Sequence, residues 1–128
     1  MNYGLSGTIS PHVDSVDWDD SKSTESIQNG GPRLITFMIY LSNVIAGGRT
    51  VFPQLGLSIK PIQGSVLFWF NIHPDLRYDS RNLHLGCPTL YGNKWIANKW
   101  IKLCAQFETY PCLINNKSFQ IHNRVDIT

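Results

Sequence analysis

Leu34-Ile35-Thr36-Phe37-Met38-Ile39-Tyr40-Leu41 is a run rich in β-branched and aromatic residues. Such side chains suit a pleated, packed surface, and the run predicts a strand buried on both faces. Outward from it the texture repeats. Ala46-Gly47-Gly48 turns the chain into Arg49-Thr50-Val51-Phe52, which Pro53 closes. Leu57 to Ile62 alternates loosely and is broken by Pro61, so it belongs at an edge or a strand end. Gln63-Gly64 leads into Ser65 to Phe70, a further buried strand. After the polar stretch Asn71 to Asn82 come Leu83 to Leu90 and Lys94 to Leu103, two strands around the turn Tyr91-Gly92-Asn93. No segment keeps a capped helical period, so little helix is expected. Short strands punctuated by Gly and Pro point to a mainly β sandwich or jelly roll.

The flanks differ. Asn2 to Ser10, with Gly4 and Gly7, reads as a strand end and turn leading to His12. Ser15 to Gly31 is polar and acidic (Asp17, Asp19, Asp20, Glu25) and ends in Asn29-Gly30-Gly31-Pro32; it reads as a solvated loop. Beyond Cys112 the chain is polar and patternless, and it carries the sequon Asn116-Lys117-Ser118.

Composition bounds the function. The chain has 128 residues, 42% hydrophobic and 16% charged, which suits one globular domain. A net charge of +2 without a basic cluster argues against a nucleic-acid or membrane-surface partner. The longest apolar run, Val66 to Phe70, is too short to span a bilayer, and Met1 to Ser10 lacks the pattern of a signal peptide. Cys87, Cys104 and Cys112 form no C-x-x-C pair, which disfavours structural zinc. One disulfide plus a thiol, or three reduced cysteines, are both compatible with the count.

Chemistry enters at Ser10-Pro11-His12-Val13-Asp14. Side chains two apart on a strand point the same way, so His12 and Asp14 can reach one point. A third ligand would complete a two-histidine, one-carboxylate facial triad, which leaves open positions on non-haem Fe(II). His122 lies in the tail, and His73 precedes Pro74 in a polar turn where a solvated ring is expected. His84, between Leu83 and Leu85, must find a partner for a buried imidazole: a core hydrogen bond or a metal. If the two strands around Tyr91-Gly92-Asn93 pair, Lys94 can face the same cavity and would need an anion there; a surface lysine is the plain alternative.

The runs Gly48-Arg49-Thr50-Val51-Phe52-Pro53, Lys60-Pro61-Ile62-Gln63-Gly64, His84-Leu85-Gly86-Cys87-Pro88 and Gly92-Asn93-Lys94-Trp95-Ile96-Ala97-Asn98-Lys99-Trp100, with Asn2-Tyr3-Gly4 and Pro11-His12-Val13-Asp14 before them, resemble the catalytic domain of the collagen prolyl 4-hydroxylase α-subunit. The resemblance covers Asn2 to Cys112. It implies a double-stranded β-helix (jelly roll), incomplete at its N-terminal side, over residues 1–112, followed by a polar tail over 113–128. It implies an Fe(II)- and 2-oxoglutarate-dependent dioxygenase that uses O₂, hydroxylates peptidyl proline at C4 in procollagen-like, proline-rich peptides, and releases succinate, with L-ascorbate as accessory reductant. By resemblance His12, Asp14 and His84 are the iron ligands. Lys94 takes the distal carboxylate of 2-oxoglutarate, Thr50 assists it, and Tyr3 and Trp100 line the pocket. Arg33 resembles an arginine near the peptide groove, and Cys87 and Cys112 match a disulfide, leaving Cys104 as the odd thiol. Phe68, Phe70 and Trp95 are candidates for an apolar wall or for ordinary core packing.

The family works in the endoplasmic reticulum lumen with protein disulfide isomerase as partner, and the resemblance extends that expectation here. Ile9 stands where the family usually has a tyrosine, and Lys102 where it often has a histidine. Neither change touches iron or cosubstrate; both bear on the peptide. The chain starts where the family's catalytic domain is already under way, so one sheet is expected to lose an edge. A catalytically impaired fragment, a non-catalytic peptide-binding subunit and a jelly-roll module for sugars or small ligands are the rival expectations.

Overall fold

The computed structural model describes residues 1–15 and 30–106. Among the described residues ten strands follow one another: β1 (Asn2–Tyr3), β2 (Ile9–His12), β3 (Arg33–Tyr40), β4 (Val44–Gly47), β5 (Thr50–Phe52), β6 (Leu57–Ile59), β7 (Val66–Phe70), β8 (His84–Gly86), β9 (Thr89–Gly92) and β10 (Lys94–Lys102). Among the described residues the only helical pieces are short 3-10 segments at Pro53–Leu55, Ser80–Asn82 and Leu103–Gln106.

The strands form two four-stranded sheets, β1-β10-β3-β7 and β2-β8-β5-β6, and a ribbon, β4-β9. All recorded pairings are antiparallel. In sequence the chain passes back and forth between the sheets, which is the winding of a jelly roll. The core lies between them. Met38 and Tyr40 of β3, Trp69 of β7 and Ile96 of β10 meet Phe52 of β5, with Tyr3, Ile59 and Leu67 packed around.

The long β3–β10 pairing, from Ile96 opposite Tyr40 to Lys102 opposite Arg33, is the spine of the first sheet. On its inner face Thr36, Met38 and Tyr40 are buried. The expectation of burial on both faces fails, because Ile35, Phe37 and Ile39 on the outer face are only half-buried. The same holds for β7: Trp69 is buried, whereas Val66, Phe68 and Phe70 are exposed. No second layer covers that outer face among the described residues, and alternation along each strand then sends every other side chain outward.

The segment from Leu83 to Leu90 is two strands, not one. β8 ends at Gly86 and pairs with β2 and β5; β9 starts at Thr89 and pairs with β4. Cys87-Pro88 is the break. Its geometry is fixed by Gly48, whose N–H donates to the Pro88 carbonyl at 2.8 Å. Gly47, at φ +76°, passes so close that a Cβ there would stand 2.3 Å from the same oxygen. Only glycine fits this crossing. Consequently Tyr91-Gly92-Asn93 does not join a hairpin of β9 and β10, as β10 pairs with β1 and β3 instead. Leu57–Ile59 is the edge strand expected around Pro61. Residues 16–29 of the acidic loop, Cys112 and the tail with its sequon lie outside the described residues.

Candidate metal centre

His12 ends β2 and His84 begins β8, and the register sets them directly opposite each other. Their ring centroids are 4.3 Å apart. Asp14, just beyond the end of β2 and buried, turns its Oδ1 toward both: 3.5 Å from His12 Nε2 and 4.0 Å from His84 Nε2. The three ligand atoms all lie within 4.8 Å of one another. Two imidazole nitrogens and one carboxylate oxygen at this spacing are a donor set for a divalent transition ion.

The rings are oriented by the backbone. His12 Nδ1–H donates to the Ser10 carbonyl and His84 Nδ1–H to the Asn82 carbonyl, each at 2.8 Å. A carbonyl can only accept, so Nδ1 carries the proton and Nε2 keeps its lone pair for the centre. His84 is 6% exposed and packs against Phe52 and Trp69, with ring centroids at 5.3 and 5.0 Å. Burial pushes its pKa down, which favours the neutral, ligating form.

The carboxylate of Asp14 is held on its other oxygen. Thr36 Oγ1–H donates to Oδ2 at 2.6 Å, and Trp100 Nε1–H approaches the same oxygen at 3.4 Å. Thr36 in turn accepts from Asn71 Nδ2 at 2.9 Å.

From this centre a cleft of about 520 Å³, its open mouth included, runs to Lys94. The alternation of β10 places Lys94, Ile96, Asn98 and Trp100 along one wall, and Met38, Thr50 and Leu85 help close the others. Lys94 is 4% exposed. Its ammonium donates to Thr50 Oγ1 at 3.3 Å, and Tyr40 O–H donates to the same hydroxyl at 2.7 Å. No carboxylate among the described residues pairs with Lys94, and burial pushes its pKa down to about 8. A buried cation without a counter-charge, facing a cleft, is a receptor for an anion. The Tyr3 ring lies beside it, with Lys94 Nζ 5.5 Å from the ring centroid.

Of the residues expected at the site from sequence, His12, Asp14, His84, Lys94, Thr50, Tyr3 and Trp100 all line this cleft. Arg33 stands at its rim, stacked 3.8 Å over the Trp100 ring and donating to the Asp14 carbonyl at 3.2 Å. Lys94 reaches the cleft without the β9–β10 pairing that was expected to bring it there. Phe68, Phe70 and Trp95 do not wall the cleft; all three are exposed, on the far side of their strands. Trp69 and Phe52 are the aromatic rings that wall His84. His73 is outside the centre, near Asp79 at 3.7 Å and half-exposed. Cys87, a free thiol among the described residues, borders the cleft, and Cys112, its expected partner, lies outside them.

Four polar residues escaped the sequence reading. Thr36 and Asn71 support Asp14, Tyr40 supports Thr50, and Asn98 lines the cleft with a buried Oδ1 that has no partner. The available signal was polarity out of place. Thr36 interrupts an apolar run, Tyr40 shares its face two steps on, and Asn71 closes the strand Val66–Phe70.

The sequence model of the 2OG-Fe(II) oxygenase superfamily matches residues 1–102. The chain is 39% identical over 114 residues to prolyl 4-hydroxylase subunit alpha-1 of Gallus gallus, covering 89% of this chain and 22% of that protein. It is 44% identical over 112 residues to subunit alpha-3 of Homo sapiens, covering 88% and 20%. It thus spans about a fifth of the length of these relatives. Among solved structures, the viral collagen prolyl hydroxylase vCPH from Paramecium Bursaria Chlorella virus-1, in its 2OG complex, superposes with a TM-score of 0.69 at 34% identity, over 79% of this chain and 55% of that one. With its two-histidine, one-carboxylate centre and jelly-roll sheets, the chain belongs to the 2OG-Fe(II) oxygenase superfamily.

Proposed function

We propose that the chain carries the catalytic centre of a 2-oxoglutarate-dependent prolyl 4-hydroxylase acting on proline-rich, procollagen-like peptides. The observation that carries this reading is one cleft with a facial donor set at one end and an unpaired buried ammonium at the other. The identity to prolyl 4-hydroxylase α-subunits supports the choice of substrate.

In this reading His12, Asp14 and His84 hold Fe(II), and the bound metal supplies O₂ activation coupled to decarboxylation of 2-oxoglutarate to succinate. The protein's residues do the rest. The two Nδ1–H bonds keep both imidazoles aimed at the centre. Lys94, with Thr50, takes the distal carboxylate of the cosubstrate and so fixes its reach toward the metal. Tyr3 and Trp100 flank it. Met38, Leu85 and Ile96 keep water from the cleft wall. Arg33, held flat on Trp100, faces the rim where a peptide would arrive. Ile9 lines the cleft, half-buried, so the peptide end of the site is apolar there.

The same reading extends to L-ascorbate as accessory reductant, to a Cys87–Cys112 disulfide, and to work in the endoplasmic reticulum lumen beside protein disulfide isomerase. Its catalytic domain is residues 1–112, with 113–128 a polar tail. The likeness to the prolyl 4-hydroxylase α-subunits is what supports these.

The test is succinate release from 2-oxoglutarate by the chain loaded with Fe(II), with and without a (Pro-Pro-Gly) repeat peptide. The reading expects peptide-stimulated succinate and a matching gain of one oxygen per modified proline by mass spectrometry. Succinate without peptide dependence would point to another substrate, and no turnover by a metal-loaded, folded chain would favour a non-catalytic subunit.

A further inference from the structure

The support behind Asp14 has a direction. The carboxylate can only accept, so the Thr36 hydroxyl at 2.6 Å must donate to it. With its proton committed, Thr36 can only accept from Asn71, so the amide nitrogen, not the oxygen, faces it at 2.9 Å. That choice leaves Asn71 Oδ1 buried without a partner. Thr36 is 0% and Asn71 2% exposed. An orphaned buried acceptor is costly, and an apolar residue in place of Asn71 would avoid the cost. A local rule broken in this way marks a functional demand.

The demand is visible at Asp14. Thr36 and Trp100 both point donors at Oδ2, while Oδ1 faces the imidazoles. An oxygen already taking two donors is a poor second ligand. A carboxylate that chelated through both oxygens would also occupy one of the positions a facial triad must leave free. We infer that Asn71 and Thr36 are positioning residues that restrict Asp14 to a single ligating oxygen and so keep the coordination site open for the keto acid and O₂. The relay runs from the end of the edge strand β7 through β3, so two adjacent strands of the first sheet set the geometry of a ligand that lies outside it. The inference rests on the metal reading proposed above.

The experiment uses the whole 128-residue chain and two readouts that do not need turnover. One is the affinity for Mn(II) alone, followed by the EPR signal of the free ion. The other is the charge-transfer absorption of the anaerobic Fe(II)–2-oxoglutarate complex. Thr36→Val keeps the shape and removes the donor; it should weaken Mn(II) roughly 10- to 100-fold, the usual effect of losing an outer partner of a ligand, and shift or abolish the band. Thr36→Ser keeps the donor and should restore both. Asn71→Ser leaves the Thr36 hydroxyl but withdraws the amide, and should shift the band in the same direction as Thr36→Val; it carries the test if Thr36→Val does not fold by circular dichroism. Wild-type affinity and an unshifted band in Thr36→Val, or equal losses in Thr36→Val and Thr36→Ser, would overturn the positioning role while the metal centre stands. A wild-type chain that takes up no Mn(II) would instead remove the metal reading, and this inference with it.

Discussion

Lys94 Nζ lies 3.3 Å from Thr50 Oγ1 at the end of a cleft whose other end is the His12–Asp14–His84 cluster. The hydroxyl oxygen also accepts a hydrogen bond from the Tyr40 O–H at 2.7 Å, so it solvates the ammonium without neutralising it. The charge is left for a ligand, and the fold bears its desolvation in the meantime.

That cost makes a stability prediction with a definite sign. The Lys94 pKa is pushed down to about 8 by burial, below its ordinary value of 10.5. Below pH 8 the group is charged folded and unfolded, and the full penalty is present. Between about 8 and 10.5 the unfolded chain binds the proton more tightly, so this group's contribution raises stability as pH rises. Lys94→Met should therefore stabilise the ligand-free protein at pH 7, by up to about 3 kcal/mol, while abolishing 2-oxoglutarate binding. Urea unfolding with and without cosubstrate reads both. A variant that is less stable and still binds 2-oxoglutarate would contradict the assignment.

Cosubstrate binding should depend on pH through the same group. As pH rises past about 8 the free protein loses the ammonium, and affinity for 2-oxoglutarate should fall up to about tenfold per unit in the limit. Isothermal titration from pH 7 to 9.5 on the metal-loaded chain tests this. Bound carboxylate raises the lysine pKa, so binding should also take up a proton near pH 8.

His84→Ala removes a ligand and opens a space beside Phe52 and Trp69. Metal affinity should drop by more than about 100-fold, beyond the effect of losing an outer partner. Metal-free stability should fall by only about 1–3 kcal/mol, the range of a single buried truncation. Equal metal affinity in the variant would show that the ring does not ligate.

Gly47→Ala tests the crossing that separates β8 from β9. The Cβ would meet Pro88 O at 2.3 Å and Leu90 N at 2.8 Å, at φ +76°. A loss of about 2–4 kcal/mol is expected from clash and left-handed strain together. Since Thr89 and Cys87 flank this crossing, the register of His84 opposite His12 should loosen with it, and metal affinity should fall in parallel.

Much of this site was legible in the residues. His-x-Asp announced two ligands because side chains two apart on extended backbone point the same way, although β2 itself ends at His12. His84 stood out as a polar ring in an apolar setting, and the ordered motifs around Gly48, His84 and Lys94 carried the family. What the residues could not show was partnership across the sheets. Local pattern predicts a strand at Leu34 to Leu41, but only the layer above it determines whether Phe37 and Ile39 are covered. The same ignorance left Phe68 and Phe70 as candidates for an inner wall or for core packing when Trp69 between them is the one that turns in. The hairpin expected at Tyr91-Gly92-Asn93 was a sound reading of turn residues, overridden by β4, which captures β9 through long-range pairing. Thr36 and Asn71 are 35 positions apart, and only the β3–β7 register brings them together.

One measurement bears most directly on the cleft as a single cofactor site: the visible absorption of the chain with Fe(II) and 2-oxoglutarate in the absence of oxygen. The account predicts a charge-transfer band that needs both additions, survives in Arg33→Ala, and vanishes in His84→Ala. A folded wild-type chain that binds Fe(II) and 2-oxoglutarate separately but gives no band would contradict it, because the two would then not share one centre.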